Sequence, residues 1–331
     1  MEYRMNLHQE KQLYSQVVRA TADRLQIPEI YIEKDYWVCF ALKLIFDSGI
    51  DTNTVFKGGT ALSKCFGIIE RFSEDIDLVI ASEEDISDNQ RKNKLKFIST
   101  LLSGKLPEIE IEGVTIKKGM NRKTVHTYRS EFTGDPGQMR DHIVVEASWL
   151  GSSEPWVEAD LKSYIADTLT GEGLMHLVRK HNLTPFKVKC LAPERTICEK
   201  ILSLVRFSYS DDPIAYLKLK IRHCYDLYCL LHKIKLKTFF NSERFDSMLR
   251  QVGQDDLRGY RSGNSWIKIH PSKALVFSKV DEVWGKLLST YENEFSKMVY
   301  GELPAPGMIR ETLSLIFRRI ENINWIMNPE K

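Results

Sequence analysis

One stretch of the chain places a strand, two glycines and a helix directly in series. Residues 54–57 are rich in β-branched and aromatic side chains, which predicts a short strand. That strand runs straight into Gly58 and Gly59, and a helical sequence begins at Thr60 and continues to about residue 66. Glycines allow a ligand to approach the backbone closely, and the N–H groups at the start of a helix favour an anion. The stretch predicts either a phosphate-binding loop or a plain turn, and taken alone it does not choose between them.

The next predicted strand carries two carboxylates. Ile76 and residues 78–80 form an almost continuous apolar run, which is typical of a strand covered on both faces. Residues i and i+2 of a strand face the same way, so Asp75 and Asp77 are expected to lie side by side. A cation between them relieves their repulsion, and oxygen-only ligation favours Mg²⁺ or Mn²⁺. The alternative is a strand end with one capping and one solvated aspartate, but the preceding Gly-Gly-Thr loop favours the metal.

Several other side chains extend this candidate site. Thr60 and Ser63 offer hydroxyl donors to a phosphate, and Lys57 or Lys64 offers a cation. Glu146 is a charge within an apolar strand predicted over residues 142–149, so it is either a third metal ligand or a glutamate at a strand edge facing solvent.

Bulk composition sets the frame for this site. A chain of 331 residues has room for two ordinary domains, and a change of composition near residues 206–213 predicts an α/β domain over 1–207 and a helical domain over 208–331. The net charge of +2 restricts any nucleic-acid surface to a local patch.

The six cysteines form no CxxC pair and are interpreted as buried thiols. No signal peptide or apolar run of membrane-spanning length is visible, so a cytoplasmic protein without membrane contact is expected.

Two charged residues stand out in the later helical text. Lys200 lies on a predicted helix beside an apolar face, and without further information it is interpreted as a surface lysine. Asp226 lies in a strongly apolar helix, where an unpaired carboxylate is costly. A buried pair of Asp226 with Arg222 or with Lys200 is therefore the structural alternative to a catalytic role.

Taken in order, these motifs resemble a known family. They occupy residues 56–64 (FKGGTALSK) and 71–78 (RFSEDIDL), and the flanking motifs are 33–37 (EKDYW), 193–200 (PERTICEK), 222–227 (RHCYDL) and 263–266 (GNSW). The set is similar to the AbiEii/AbiGii toxin family of the polymerase-β-like nucleotidyltransferase superfamily. The resemblance implies an α+β fold in which a mixed sheet forms the nucleotidyltransferase core, followed by a C-terminal helical domain.

The resemblance also implies roles for individual residues. Asp75 and Asp77 would be catalytic metal ligands, joined at a guessed position by Glu146, and Lys200 and Asp226 would complete the catalytic set. The implied nucleotide-binding residues are Gly58, Gly59, Thr60, Ser63, Lys64, Arg71 and Ser73. The expected reaction is attack by an acceptor hydroxyl on the α-phosphate of an NTP, assisted by Mg²⁺ or Mn²⁺.

The acceptor is less constrained than the chemistry. Toxins of this family suggest the 3′ end of transfer RNA or another RNA, and a cognate antitoxin protein as a partner. Two basic clusters are compatible with RNA: Lys117, Lys118, Arg122, Lys123 and Arg129 form one, and Lys218, Lys220 and Arg222 form the other. A solvated hairpin is the commoner interpretation of a basic run such as the first cluster. Transfer to a protein hydroxyl, and a catalytically silent regulatory module that binds nucleotide or RNA, remain alternatives.

Overall fold

The computed structural model describes residues 5–49, 54–81, 87–117, 119–134, 139–149, 153–259 and 263–327. The chain divides into two compact units. The first comprises Met1–Gly67, Phe72–Trp149 and Trp156–Cys190, and the second comprises Ile68–Arg71, Leu150–Pro155 and Leu191–Lys331. Helix 193–207 thus falls in the second unit. The domain boundary expected after residue 207 stays a prediction.

The described part of the first unit contains the strands and six α-helices. The strands are β1 Thr54–Lys57, β2 Ile76–Ile80, β3 Glu108–Ile109, β4 Asn121–Thr127, β5 His142–Ser148, β6 Trp156–Leu161 and β7 Phe186–Leu191. The helices of this unit are α1 Lys11–Leu25, α2 Glu29–Phe46, α3 Gly58–Lys64, α4 Asp88–Ser103, α5 Tyr164–Gly171 and α6 Met175–Lys180.

The second unit is helical in its described part. Its helices are α7 Pro193–Phe207, α8 Pro213–Leu219, α9 Ile221–Leu231, α10 Ile234–Phe240, α11 Glu243–Gly259, α12 Leu275–Ser278, α13 Val280–Ser289 and α14 Pro306–Ile320. Helix α7 packs against α9 and α11, and α9 packs against α14. No helix in the described parts of either unit is long and apolar enough to cross a membrane.

A mixed seven-stranded sheet forms the core of the first unit, in the order β3-β4-β5-β2-β1-β7-β6. The central strand β2 pairs antiparallel with β1 and parallel with β5. Its apolar side chains are buried, as the continuous apolar run predicts for a strand covered on both faces. The mixed α/β architecture expected from the sequence is confirmed, and the register places Asp77 opposite Lys57 on one side and Glu146 on the other.

Edge strand β6 is the element that the sequence does not indicate. Four of its six residues are exposed, and its acidic residues disfavour a strand, so the segment lacks the alternating pattern of a half-buried strand. It lies at the end of the sheet beside β7, where Lys187 pairs with Glu158 at 3.5 Å and with Asp160 at 3.1 Å. Pairing with β7 therefore decides the conformation of this segment.

Three consecutive charged residues of α2, Glu33, Lys34 and Asp35, are all buried. Helix α2 is buried on nearly all sides, so each charge needs a partner inside the fold. The Glu33 carboxylate accepts hydrogen bonds from the Ser130 hydroxyl (2.7 Å) and the Glu131 backbone N–H (2.9 Å). It thereby fixes the chain that follows β4.

Lys34 organises the chain just before β5. Its Nζ lies 3.1 Å from Glu74 Oε2 and donates to the backbone carbonyls of Arg140 (2.9 Å) and His142 (2.5 Å). Burial lowers the pKa of Lys34 and raises the pKa of Glu74, in each case against the attraction of the partner. The pair therefore costs desolvation energy, and it is retained by the hydrogen bonds that surround it.

Asp35 fixes α3 and the start of α5. Its Oδ1 lies 2.5 Å from Lys64 Nζ, and its Oδ2 accepts from the Tyr164 backbone N–H at 2.7 Å. Burial alone would lower the pKa of Lys64, but the Asp35 carboxylate raises it above the usual range. One turn of α2 thus holds three separate parts of the chain around the sheet.

We expect Lys34→Met to lower the free energy of unfolding by about 3–5 kcal/mol, because it removes the nearest cation from the buried Glu74 carboxylate. The double variant Lys34→Met/Glu74→Gln should lose less, since no unpaired charge remains. Urea unfolding of both variants and the unaltered protein provides the measurement. A single variant as stable as the unaltered protein would contradict the role given to this pair.

Candidate active site

The Asp77 carboxylate lies directly against Gly58. Gly58 follows β1 with φ +82°, a left-handed conformation that favours glycine, and a Cβ placed there would be 2.3 Å from Asp77 Oδ2. The antiparallel register of β1 and β2 creates this approach, because it sets Lys57 opposite Asp77. Gly58 is therefore required both for the turn and for the position of the carboxylate.

Thr60 ties the first turn of α3 to the other aspartate. Its hydroxyl donates to the Asp75 backbone carbonyl at 2.6 Å and lies 3.0 Å from the Ser73 hydroxyl. The Thr60 side chain is buried, so in this structure it positions the chain that enters β2. The phosphate-contact role predicted for Thr60 and Ser73 stays a prediction.

Arg140 is a cation at the Asp75 carboxylate that the sequence analysis missed. Its Nη1 lies 2.6 Å from Asp75 Oδ1 and 3.9 Å from Glu74 Oε1. Burial alone would lower the pKa of Arg140, but the negative charges of Asp75, Glu74 and Asp77 raise it. The arginine therefore stays charged, and its guanidinium lies against the Asp75 carboxylate, where the sequence analysis expected a cation. No local signal marks it, because it lies in the irregular chain before β5.

Glu146 is placed beside Asp77 but has other partners. The parallel register of β2 and β5 aligns the two residues. The Glu146 carboxylate accepts from the Asn121 amide at 2.9 Å and lies 3.3 Å from Lys123 Nζ. Within the described ranges, no group of three or more His, Cys, Asp or Glu side chains could hold a metal ion. The role of Glu146 as a third ligand stays a prediction without support from this geometry.

Two carboxylates are nevertheless a suitable donor set for one class of ion. Mg²⁺ is usually held by one or two protein carboxylates and completes its shell with substrate phosphates and water. Asp75 and Asp77 are both oxygen donors, and one of them already has a guanidinium against it. These residues therefore fit an ion that arrives with a nucleotide better than one held in a protein cage.

Lys64, Ser63 and Gly59 complete the predicted loop. The Lys64 ammonium is directed to Asp35 and lies 3.8 Å from the centre of the Tyr164 ring, so it is engaged within the fold. Gly59 and Ser63 lie on α3 and are partly buried. The nucleotide contacts predicted for these three residues stay predictions, and the buried pair gives Lys64 a structural role.

The second unit brings together Arg71, Asp226 and Lys200. Arg71 Nε and Nη2 donate to the two Asp226 oxygens, each at 2.7 Å, and Lys200 Nζ lies 2.6 Å from Asp226 Oδ2. All three side chains are buried. The pairing of Asp226 with Lys200, which the sequence left open, is therefore present. Lys200 is not a surface lysine, and the arginine partner is Arg71. The roles predicted for these residues in catalysis and nucleotide binding stay predictions.

The pKa values of this cluster follow from its charges. Burial alone would raise the pKa of Asp226, but Arg71 and Lys200 lower it to about 2. Burial lowers the pKa of Lys200 despite the attraction of Asp226. His223 Nδ1 lies 3.4 Å from Lys200 Nζ, and burial together with the nearby cations lowers the pKa of His223 well below its usual value. The imidazole is therefore neutral and can accept from Lys200.

The first basic cluster predicted from the sequence is largely neutralised. Lys117 pairs with Glu108 (2.8 Å) and Glu110 (2.6 Å), and Arg129 pairs with Glu131 (3.1 Å). Lys123 faces Glu146, as described above, and Arg122 Nε donates to the Ser99 hydroxyl at 2.8 Å. Lys118 lies outside the described residues. These contacts favour the interpretation of a solvated hairpin over that of an RNA surface.

Comparison with protein-family models matches residues 41–318 to the family described as "Nucleotidyl transferase AbiEii toxin, Type IV TA system". The chain belongs to the AbiEii family. It is a nucleotidyltransferase of the type IV toxin–antitoxin class, as the ordered motifs predict. This AbiEii-family protein is also similar to a solved structure, MenT4, the nucleotidyltransferase toxin Rv2826c from Mycobacterium tuberculosis H37Rv. The two are 15% identical with a TM-score of 0.44, over 90% of this chain and 98% of that chain. No curated protein matches the sequence.

We expect Gly58→Ala to destabilise this AbiEii-family protein by about 1–2 kcal/mol and to displace the Asp77 carboxylate. The cause is the combination of a left-handed φ with a methyl group that meets Asp77 Oδ2. Gly113→Ala is the matched control, because its φ is +75° and a Cβ there meets no atom within 4 Å. Thermal unfolding and nucleotide transfer should be measured for both. Equal loss of activity in the two variants would attribute the effect to backbone strain alone.

A second prediction concerns acid stability. The folded-state pKa of Asp226, about 2, is below the ordinary value of 3.8. The contribution of the ionised Asp226 to the free energy of unfolding is therefore present above pH 4 and is lost as the pH falls from about 4 to about 2. We expect the stability difference between the unaltered protein and Asp226→Asn to shrink by about 2 kcal/mol over that range. Urea unfolding at pH 5, 4, 3 and 2 measures it, and a constant difference would be inconsistent with the paired carboxylate.

Proposed function

We propose that this AbiEii-family protein transfers a nucleoside monophosphate from an NTP to a hydroxyl of an RNA, with the 3′ end of transfer RNA as the leading acceptor. The observation that carries the proposal is the Asp75–Asp77 pair, held at the start of β2 against Gly58 and Thr60 in a chain of this family. The family also supports a cognate antitoxin protein as a partner. A cytoplasmic location stays a prediction.

The proposed cofactor is Mg²⁺ or Mn²⁺, held by Asp75 and Asp77. When bound, such an ion neutralises charge on the nucleotide phosphates and on the leaving pyrophosphate. The protein itself positions the metal-binding carboxylates. Thr60 holds the Asp75 backbone, Gly58 leaves room for Asp77, and the Lys34–Glu74 pair fixes the chain before β5. These contacts hold the donors in place before substrate binds, which lowers the cost of reorganisation during the reaction.

Lys200 and Asp226 are proposed to act as a pair. Lys200 provides a cation for the nucleotide phosphates, as the family resemblance implies. Asp226 lies 2.6 Å from Lys200 and is also held by Arg71, so it orients the lysine and keeps a compensating charge beside it. A completely buried carboxylate is better suited to this positioning role than to proton transfer with an acceptor.

An RNA acceptor is supported by an aromatic and cationic surface in the second unit. The rings of Phe207 and Tyr216 stack with centroids 5.7 Å apart and an interplanar angle of 13°. Arg206 lies 4.9 Å and Lys220 5.1 Å from the centre of the Phe207 ring. Tyr216 is 43% exposed, and Lys218 nearby is also exposed. Unpaired bases stack on exposed aromatic rings and cations contact the phosphates, so this surface suits a single-stranded RNA end.

A labelling assay tests the proposal. The protein and Mg²⁺ are incubated with each of the four α-labelled NTPs and either total RNA or total cell protein. We expect label in small RNA, and none with Asp77→Ala, whose melting temperature should stay close to that of the unaltered protein. Label in protein would replace the RNA acceptor with a protein hydroxyl. Nucleotide binding without any transfer would favour the regulatory module.

The same assay examines the acceptor surface. Tyr216→Ala should raise the KM for RNA by about tenfold and leave kcat unchanged, because one stacking contact is lost. Tyr300→Ala is the control, a tyrosine of similar exposure (37%) in the same unit. Equal effects of both substitutions would remove the support that this surface gives to an RNA acceptor.

A further inference from the structure

The Arg140 guanidinium occupies an oxygen of Asp75 to which a metal ion would bind. Its Nη1 contacts Asp75 Oδ1 at 2.6 Å, and its side chain is 37% exposed. Asp75 is one of the two carboxylates proposed to hold the divalent ion. The proposed reaction does not itself require a guanidinium on this carboxylate.

The backbone of Arg140 is fixed independently of its side chain. Its N–H donates to both Glu74 oxygens, at 3.1 and 3.2 Å, and its carbonyl accepts from Lys34 Nζ at 2.9 Å. The buried Lys34–Glu74 pair therefore anchors residue 140 at the edge of the site. The guanidinium can change its partner while the chain that carries it stays in place.

The charges around Asp75 show what such a change would do. Glu74, Asp75 and Asp77 place three carboxylates within four residues; Lys34 pairs with Glu74, and Arg140 pairs with Asp75 and is also attracted by Asp77. A divalent ion that binds alone meets a guanidinium of the same sign beside its ligand, which opposes binding. A nucleotide triphosphate brings several negative charges and offers the guanidinium a bidentate partner. The arginine thus disfavours the free ion and favours the ion together with the nucleotide.

We propose that Arg140 couples the binding of the divalent ion to the binding of the nucleotide. Without nucleotide, Arg140 occupies Asp75 and keeps the affinity for the metal low. When the nucleotide is present, its phosphates take the guanidinium and Asp75 is released to the ion. The inference rests on the proposed function, since it takes Asp75 and Asp77 as the metal-binding carboxylates. Arg140 is a positioning residue that sets the order in which the site fills.

Binding measurements test this coupling without any catalysis. Mn²⁺ is titrated alone, followed by electron paramagnetic resonance of the free ion, and then with a saturating α,β-methylene nucleotide. Linkage requires that metal and nucleotide strengthen each other equally in the unaltered protein. In Arg140→Gln we expect Mn²⁺ alone to bind about tenfold more tightly, and the strengthening by nucleotide to fall by at least about tenfold.

Two other variants make the result specific. Arg24→Gln is the control, because Arg24 forms an exposed pair with Glu172 at 2.5 Å on another part of the first unit, and both affinities should be unchanged. Arg140→Lys keeps the charge but loses the planar fork, so Mn²⁺ alone should bind as in the unaltered protein while the coupling weakens. Arg140→Lys also supports the test if Arg140→Gln does not fold, which circular dichroism will show.

The outcomes separate this inference from the proposed function. If Asp77→Ala loses Mn²⁺ and Arg140→Gln binds Mn²⁺ as the unaltered protein does, the metal site stands and the coupling by Arg140 is overturned. If Asp77→Ala binds Mn²⁺ normally, both the metal site and the coupling are overturned. The same holds if neither the unaltered protein nor any variant binds Mn²⁺ with nucleotide present. Tighter binding of Mn²⁺ in Arg140→Gln together with reduced coupling supports the inference.

Discussion

The buried ion pair between Lys34 and Glu74 is the interaction on which the first unit's candidate site depends. It joins the middle of α2 to the residue before Asp75 and, through the Lys34 hydrogen bonds, to the chain that enters β5. Burial shifts the pKa of both partners toward the neutral forms, so the pair is not placed there for stability alone. The pair fixes the position of the chain at Glu74 and before β5, because a buried charge tolerates few alternative arrangements of its partners.

The same principle recurs in the helical unit with different residues. Asp226 has no exposed surface, and Arg71 and Lys200 together supply the opposite charge that it requires. In consequence Lys200 is held at one place, with its ammonium against a carboxylate and near a neutral imidazole. Each unit therefore stabilises its buried charges by pairing them inside the fold, since an isolated buried cation or carboxylate would be costly.

Part of the fold could be predicted from local sequence, and the same local patterns supplied the candidate site residues. The β2 strand is recognisable because its apolar run is continuous, although Asp75, which the sequence placed on this strand with Asp77, lies just before its first residue, Ile76. The family could be identified because several motifs occur in a fixed order, and the match over residues 41–318 confirms it. Edge strand β6 could not be predicted, since pairing with β7, rather than its own composition, makes it a strand.

The sequence by itself determined the family, the apolar core of β2 and the residues proposed for the chemistry: the glycine loop, the paired aspartates, and Lys200 with Asp226. These signals are local, because they depend on spacing along one strand or helix. Only the tertiary structure decided how their charges are compensated. Arg140 lies 65 positions from Asp75, and Arg71 lies 155 positions from Asp226. Coulombic attraction depends on distance in space and not on separation along the chain, so no local pattern could reveal these partners.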